Sequence, residues 1–131
     1  MFRALLTRCA ALRFRRVLIY GILLAIVIEF VTVFFRFGLH MQSTRDTVAL
    51  GTYTLGLRVH HGYIGVFLMV LGSCFPRGLR HFLWILSFGL IFSDFGHHFL
   101  VLWPIVGSPQ FDFIYPPVNP VLGPVVPPMK L

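Results

Sequence analysis

Residues 81–106 read HFLWILSFGLIFSDFGHHFLVLWPIV. The stretch holds 26 residues, and Asp94 is its one formally charged side chain. A helix needs about 20 predominantly apolar residues to cross the hydrocarbon layer of a bilayer, so this run is long enough to span. Trp103 and Pro104 stand at its far end, where a tryptophan suits the headgroup belt.

Working outward, residues 17–39 (VLIYGILLAIVIEFVTVFFRFGL) form a second run of spanning length. It lacks the short apolar core and small-residue cleavage site of a signal peptide, so it reads as an anchor. Residues 58–75 (RVHHGYIGVFLMVLGSCF) form a third, shorter run carrying Gly62, Gly65 and Gly72, and small residues let transmembrane helices approach closely. Pro76 stops that run. The link PRGLR (76–80) is tight, so the spans on either side of it are expected to form an antiparallel hairpin. The expected fold class is all-α: a small integral membrane bundle of three spans, at about 17–39, 58–75 and 81–103.

Composition agrees. Of 131 residues, 57% are hydrophobic and 11% charged, with a mean hydropathy of +0.85. Soluble domains carry about 25% charged residues. So few charges exclude a soluble enzyme, a disordered chain and a disulfide-rich secreted miniprotein. The net charge of +7 comes from 11 basic against 4 acidic residues. Arg3, Arg8, Arg13, Arg15 and Arg16 all precede the first acid, Glu29. Residues 1–16 (MFRALLTRCAALRFRR) therefore read as a basic amphipathic leader lying in the membrane interface, although an Arg-rich, acid-free segment also suits mitochondrial targeting. Because these arginines flank apolar runs, their expected partner is anionic lipid and not nucleic acid. Cys9 and Cys74 have neither CxxC nor zinc-finger spacing and read as free thiols.

Residues 40–57 (HMQSTRDTVALGTYTLGL) read as a loop, with a short surface helix opening at Ser43 or Thr44. Eight of the nine prolines lie beyond Trp103, Pro104 and seven more within residues 107–131, a density no helix or central strand tolerates. This tail is expected to be extended, part polyproline II, and to expose Phe111, Phe113, Ile114, Tyr115, Pro116 and Pro117 as a partner-binding surface. Seven arginines on the leader and the 76–80 link put the N-terminus inside and the tail outside by the positive-inside rule. That is a multi-pass topology in a bacterial inner membrane or its equivalent, with a cytoplasmic N-terminus and a periplasmic C-terminus.

Ionisable residues within spans are costly and mark functional sites by default. Here they are Glu29, His60, His61, Asp94, His97 and His98, with Arg36 near a border and His40 in the loop. Counted from the inner boundary, Glu29 and Asp94 lie at roughly 18–20 Å on their helices, and His97 and His98 one turn higher. His60 and His61 enter from the outer side, so all three spans place polar groups in one layer. Asp94, His97 and His98 are related by i,i+3 and i,i+4 and share a face. Adjacent helical residues point about 100° apart, so one histidine of each pair is expected to face inward and its neighbour elsewhere. His81, beside Arg80, reads as an interface residue.

Imidazole and carboxylate together suit zinc, copper, iron or manganese. Two histidines from facing spans at equal depth would hold haem b, and one would ligate a chlorophyll-type pigment. A Glu/His/Asp chain would also move protons or ions. The bland alternative is polar glue between helices, worth about 0.6 kcal/mol per contact. The pentad Asp94-Phe95-Gly96-His97-His98 resembles the HxxHH box of membrane desaturases and hydroxylases, with Asp at the first position. The resemblance covers five residues; the other boxes of that family are absent, and it implies no activity for this chain. No nucleophile motif or phosphate loop is present, so no enzyme class is indicated. The expected function is a small membrane subunit of a larger complex, bioenergetic or metal-related, with other membrane subunits and lipids as partners. The alternatives are a metal- or haem-binding redox protein and a proton or ion conduit.

Overall fold

The computed structural model describes residues 1–40 and 60–108, with the backbone of 118–119 and 123–124. The described residues are helical apart from one two-residue ladder. The elements are α1 (Phe2–Ala10), α2 (Phe14–Val33), α3 (His61–Ser73), α4 (Arg77–Phe95) and α5 (Trp103–Val106). Wide π-helical turns, Phe34–Gly38 and Gly96–Leu102, extend α2 and α4. Two continuous helices, Phe14–Gly38 and Arg77–Val106, are long and apolar enough to cross a membrane. At 13 residues α3 rises only about 20 Å, short of the ~30 Å hydrocarbon core.

The boundaries differ from the sequence expectation in physically informative ways. The leader is not one element: α1 ends at Ala10, and α2 starts at Phe14. The 76–80 link is helix, not loop. Pro76, with φ −56° and ψ 153°, is the N-cap of α4, where a missing N–H costs nothing, so the helix starts at Arg77 and not at His81. At its far end the third rod runs to Val106, the end of the 81–106 stretch, with Pro104 in the first turn of the α5 segment. Helix α3 starts at His61, three residues later than expected. The proposed surface helix at Ser43 or Thr44, with Arg45, Asp46 and Arg58, lies outside the described residues.

The chain packs as two units, Met1–Val31 with His60–Gly96, and Thr32–Val59 with His97–Leu131. In the first, α3 and α4 form an antiparallel hairpin joined by Cys74, Phe75 and Pro76. The register is visible in the glycines of α3. A Cβ on Gly62 would meet Asp94, one on Gly65 would meet Ile91 and the Ser87 carbonyl, and one on Gly72 would meet Leu83 and Trp84. All three glycines are buried, so the seam is backbone against side chain with nothing between. Trp84 closes it by donating its indole N–H to the Met69 carbonyl at 3.1 Å.

From Val17 to Ile28 helix α2 carries no charged side chain, yet only Val17, Gly21 and Ala25 of the whole helix are buried. They recur at i, i+4 and i+8 and so form one narrow stripe. Gly21 rests against the Phe88 side chain, and Leu24 fills the space a Cβ on Gly89 would need. Most other apolar side chains of α2, from Ile19 to Val31, are exposed or half-buried. Helix α1 is fastened to the start of α4 at several points. His81 Nδ1 lies 2.9 Å from the Cys9 carbonyl oxygen. A carbonyl only accepts, so Nδ1 carries the proton. Arg77 donates to the Leu12 carbonyl at 3.3 Å, Phe2 meets Phe82 edge-on, and Gly78 gives the Leu6 carbonyl room. His81 is therefore buried and ties α1 to the start of α4. Cys9 and Cys74 are free thiols, the first buried and the second exposed. Burial pushes the Cys9 thiol pKa up.

In the second unit, the Phe34–Gly38 turn ends with the Leu39 N–H bonded to the Phe34 carbonyl, five residues back. His40 follows with φ 53°, exposed, as expected of a loop residue. Phe99 packs on Trp103, and Gly107, with φ 76°, caps α5 through a 3.0 Å bond to the Trp103 carbonyl. In the tail, β1 (Val118–Asn119) pairs antiparallel with β2 (Gly123–Pro124), so the chain doubles back there and is not extended throughout. Phe111, Phe113, Ile114, Tyr115, Pro116 and Pro117 lie outside the described residues.

Candidate metal centre

Asp94 is the last polar residue of α4 and is 2% exposed. A lone buried carboxylate is costly, so its surroundings must compensate. They consist of two imidazoles and the amino-terminal end of α3. His60 Nδ1 lies 3.6 Å and His61 Nδ1 lies 3.4 Å from the same oxygen, Asp94 Oδ1. The dipole of α3 is positive at that end, where the first turn leaves N–H groups without helical acceptors.

Both neighbouring histidines reach one oxygen, which the 100° rule for adjacent helical residues forbids. The rule does not apply because the helix begins between them. His60 is the N-cap, with φ −79° and ψ 141°, and His61 is the first helical residue. Extended backbone at His60 swings its ring onto the side that His61 also faces. The two differ in access: the His60 side chain is 4% exposed and that of His61 is 31% exposed. The Tyr63 ring stands edge-on to His60 at 5.4 Å and fixes the imidazole plane.

Gly62 makes the approach possible. A Cβ at that position would lie 2.6 Å from Asp94 Oδ2 and 3.1 Å from its Cβ. Any side chain on Gly62 would expel the carboxylate from the first turn of α3. Gly62 and Tyr63 went unassigned to the site in the sequence. Their signal was present, as residues two and three positions past His60 on a glycine-bearing face.

Four residues beyond Asp94 on the same continuous helix stands His98, also buried. His60, Asp94 and His98 each offer one ligand atom, and these atoms all lie within 4.8 Å of one another. For a first-row ion with ligands at about 2.1 Å, the edge of a tetrahedron is about 3.4 Å. The 3.6 Å between His60 Nδ1 and Asp94 Oδ1 is close to such an edge, and the His98 donor lies within 4.8 Å of both. The group is wholly buried, at 5%, 2% and 5% exposure.

Of the other expected ligands, His61 contacts Asp94 from the rim. His97 is buried as well, and its ring meets that of His98 edge-on at 5.5 Å, but it is not a member of the three-donor group. Glu29, on α2, is half-buried and is not a member of the three-donor group. No family model, curated protein or solved structure matches this chain.

Proposed function

We propose that this chain is a small integral membrane protein that holds one transition-metal ion through His60, Asp94 and His98. The observation that carries this reading is the convergence of two imidazoles and one carboxylate, all buried, within 4.8 Å. Two nitrogens and one oxygen with an open fourth position suit copper, zinc or iron. A bare ion fits better than a tetrapyrrole. Asp94 Oδ1 stands 3.6 Å from the His60 ring nitrogen, where a macrocycle would have to pass. His61, at the rim, is placed to complete the coordination or to orient Asp94.

The test is metal analysis of the full chain purified in mild detergent, with cobalt(II) absorption as a report of geometry. One ion per chain and intense tetrahedral bands are expected. Asp94→Asn and His98→Ala should each abolish them. Absence of bound metal, or full retention in both variants, would sink the reading.

A second reading is compatible with the first: the chain is a subunit of a larger membrane complex, bioenergetic or metal-related. It is supported by α2, which buries only Val17, Gly21 and Ala25 against its own chain and leaves the rest of an apolar cylinder to lipid or another subunit. The proline-rich tail, through Phe111 to Pro117, would dock on the partner outside the bilayer. Removal of residues 108–131 should then release the chain from its assembly while the helices still insert. Migration of the intact chain as a monomer in mild detergent, without any co-purifying subunit, would count against it.

A further inference from the structure

We infer that the junction of α1, the 11–13 connector and the first two turns of α4 is a binding site for the headgroup of an acidic phospholipid. The inference is independent of the metal reading and rests only on membrane insertion. Seven arginines (3, 8, 13, 15, 16, 77 and 80) occur in residues 1–16 and 76–80, and no acid occurs in 1–28 or 61–93.

The contacts of the first unit bring together the segments that carry these arginines. The bond from Arg77 to the Leu12 carbonyl places Arg13 next to the start of α4. The Arg80 guanidinium lies 5.7 Å over the Trp84 ring. The Phe14 ring, between Arg13 and Arg15 in the chain, meets the same indole edge-on at 6.0 Å. Arg3 and Arg8 ride on α1, which the His81–Cys9 bond and the Phe2–Phe82 contact hold in place. An ordered group of like charges without acids demands an anion.

A second observation points to the ligand. Arg80 Nε is shielded from solvent and has no hydrogen-bond partner among the described residues. A buried guanidinium N–H is a donor awaiting an acceptor, and phosphate oxygens match that fork best. Free phosphate and nucleic acid are disfavoured by what surrounds the arginines. Phe2 and Phe14 are 57% and 54% exposed there, so the occupant must carry hydrocarbon as well as phosphate. A phospholipid presents both in that order, and each arginine near an anionic surface is worth about 1 kcal/mol, or roughly fivefold in affinity.

The test uses the full chain carrying Trp103→Phe, so that Trp84 is the sole indole, reconstituted in phosphatidylcholine vesicles. Brominated phosphatidylglycerol and brominated phosphatidylcholine are then compared as quenchers of Trp84. The expected result is several-fold selectivity for phosphatidylglycerol, weakened by salt and reduced about fivefold by Arg80→Gln at unchanged helix content. Selectivity should fall further in Arg13→Gln/Arg16→Gln. Equal quenching by the two lipids, or selectivity untouched by either variant, overturns the inference. So does complete displacement by millimolar inorganic phosphate, which would reveal a free-anion site. A chain extracted from the vesicles by carbonate would overturn the membrane reading along with it.

Discussion

Replacing Gly62 with alanine tests how the metal centre is assembled without touching any ligand. The new methyl would sit 2.6 Å from Asp94 Oδ2, 3.1 Å from its Cβ and 3.2 Å from its Cγ. Ordinary carbon–oxygen contact begins near 3.4 Å, so the carboxylate must retreat by about 0.8 Å or the helices must part. Overpacking of that kind costs about 1–3 kcal/mol. A donor displaced by that distance leaves the 3.4–3.6 Å edges it shares with His60 and His61. Disturbing a group that positions a ligand lowers metal affinity about 10–100-fold. The assay is competition between the protein and a chromophoric chelator for zinc. Gly65→Ala is the control, because its methyl would strike Ile91 and the Ser87 carbonyl on the same seam and would not reach Asp94. It should cost comparable stability while leaving zinc affinity within about twofold. Equal affinity loss in both variants, or none in Gly62→Ala, would refute the claim that the glycine exists to admit the carboxylate.

Three further outcomes can be checked. His81→Ala should remove one of the two donors to the Cys9 carbonyl, leaving the Leu12 N–H as the other, cost about 0.5–1.5 kcal/mol, and raise hydrogen exchange throughout α1. Unchanged exchange in α1 would show that the bond does not fasten it. Gly89→Leu should push Leu24 away and free α2 from α4, read as loss of an engineered disulfide between the two helices. The two thiols should differ in alkylation rate at pH 8. Cys74 is exposed, whereas burial raises the Cys9 pKa, so less Cys9 thiolate exists at any given pH. Cys9 should react at least about tenfold more slowly in mass-spectrometric labelling, and comparable rates would contradict its burial.

Much of the helical plan could be read from apolar run length. The hairpin of α3 and α4 followed from three glycines, a proline and a short link, and the glycines do face the partner helix. Helix starts were harder, because Pro76 acts as an opening cap as readily as a stop, and composition alone does not say which. The role of His81 was hidden because its partner is a backbone carbonyl of α1, 72 residues away. The paired approach of His60 and His61 to Asp94 required knowing that the helix begins between them, which periodicity cannot resolve to one residue. That His97 and His98 are both buried depends on what packs over each ring, which helical periodicity does not fix. What did carry through was the cost of placing ionisable groups in apolar runs, which flagged six residues; three of them, His60, Asp94 and His98, converge, and Glu29, His61 and His97 are not in that group.

The glycine face of α3 has a consequence for where this hairpin can exist. Most helix pairs in water are driven together by expelling solvent from side chains, and that impulse disappears among acyl chains. A seam in which Gly62, Gly65 and Gly72 bring main chain onto the opposite rod depends on shape and dispersion instead. Those two forces do not need water, so the seam retains its grip among acyl chains, where an ordinary leucine-faced pair would lose most of its drive to associate.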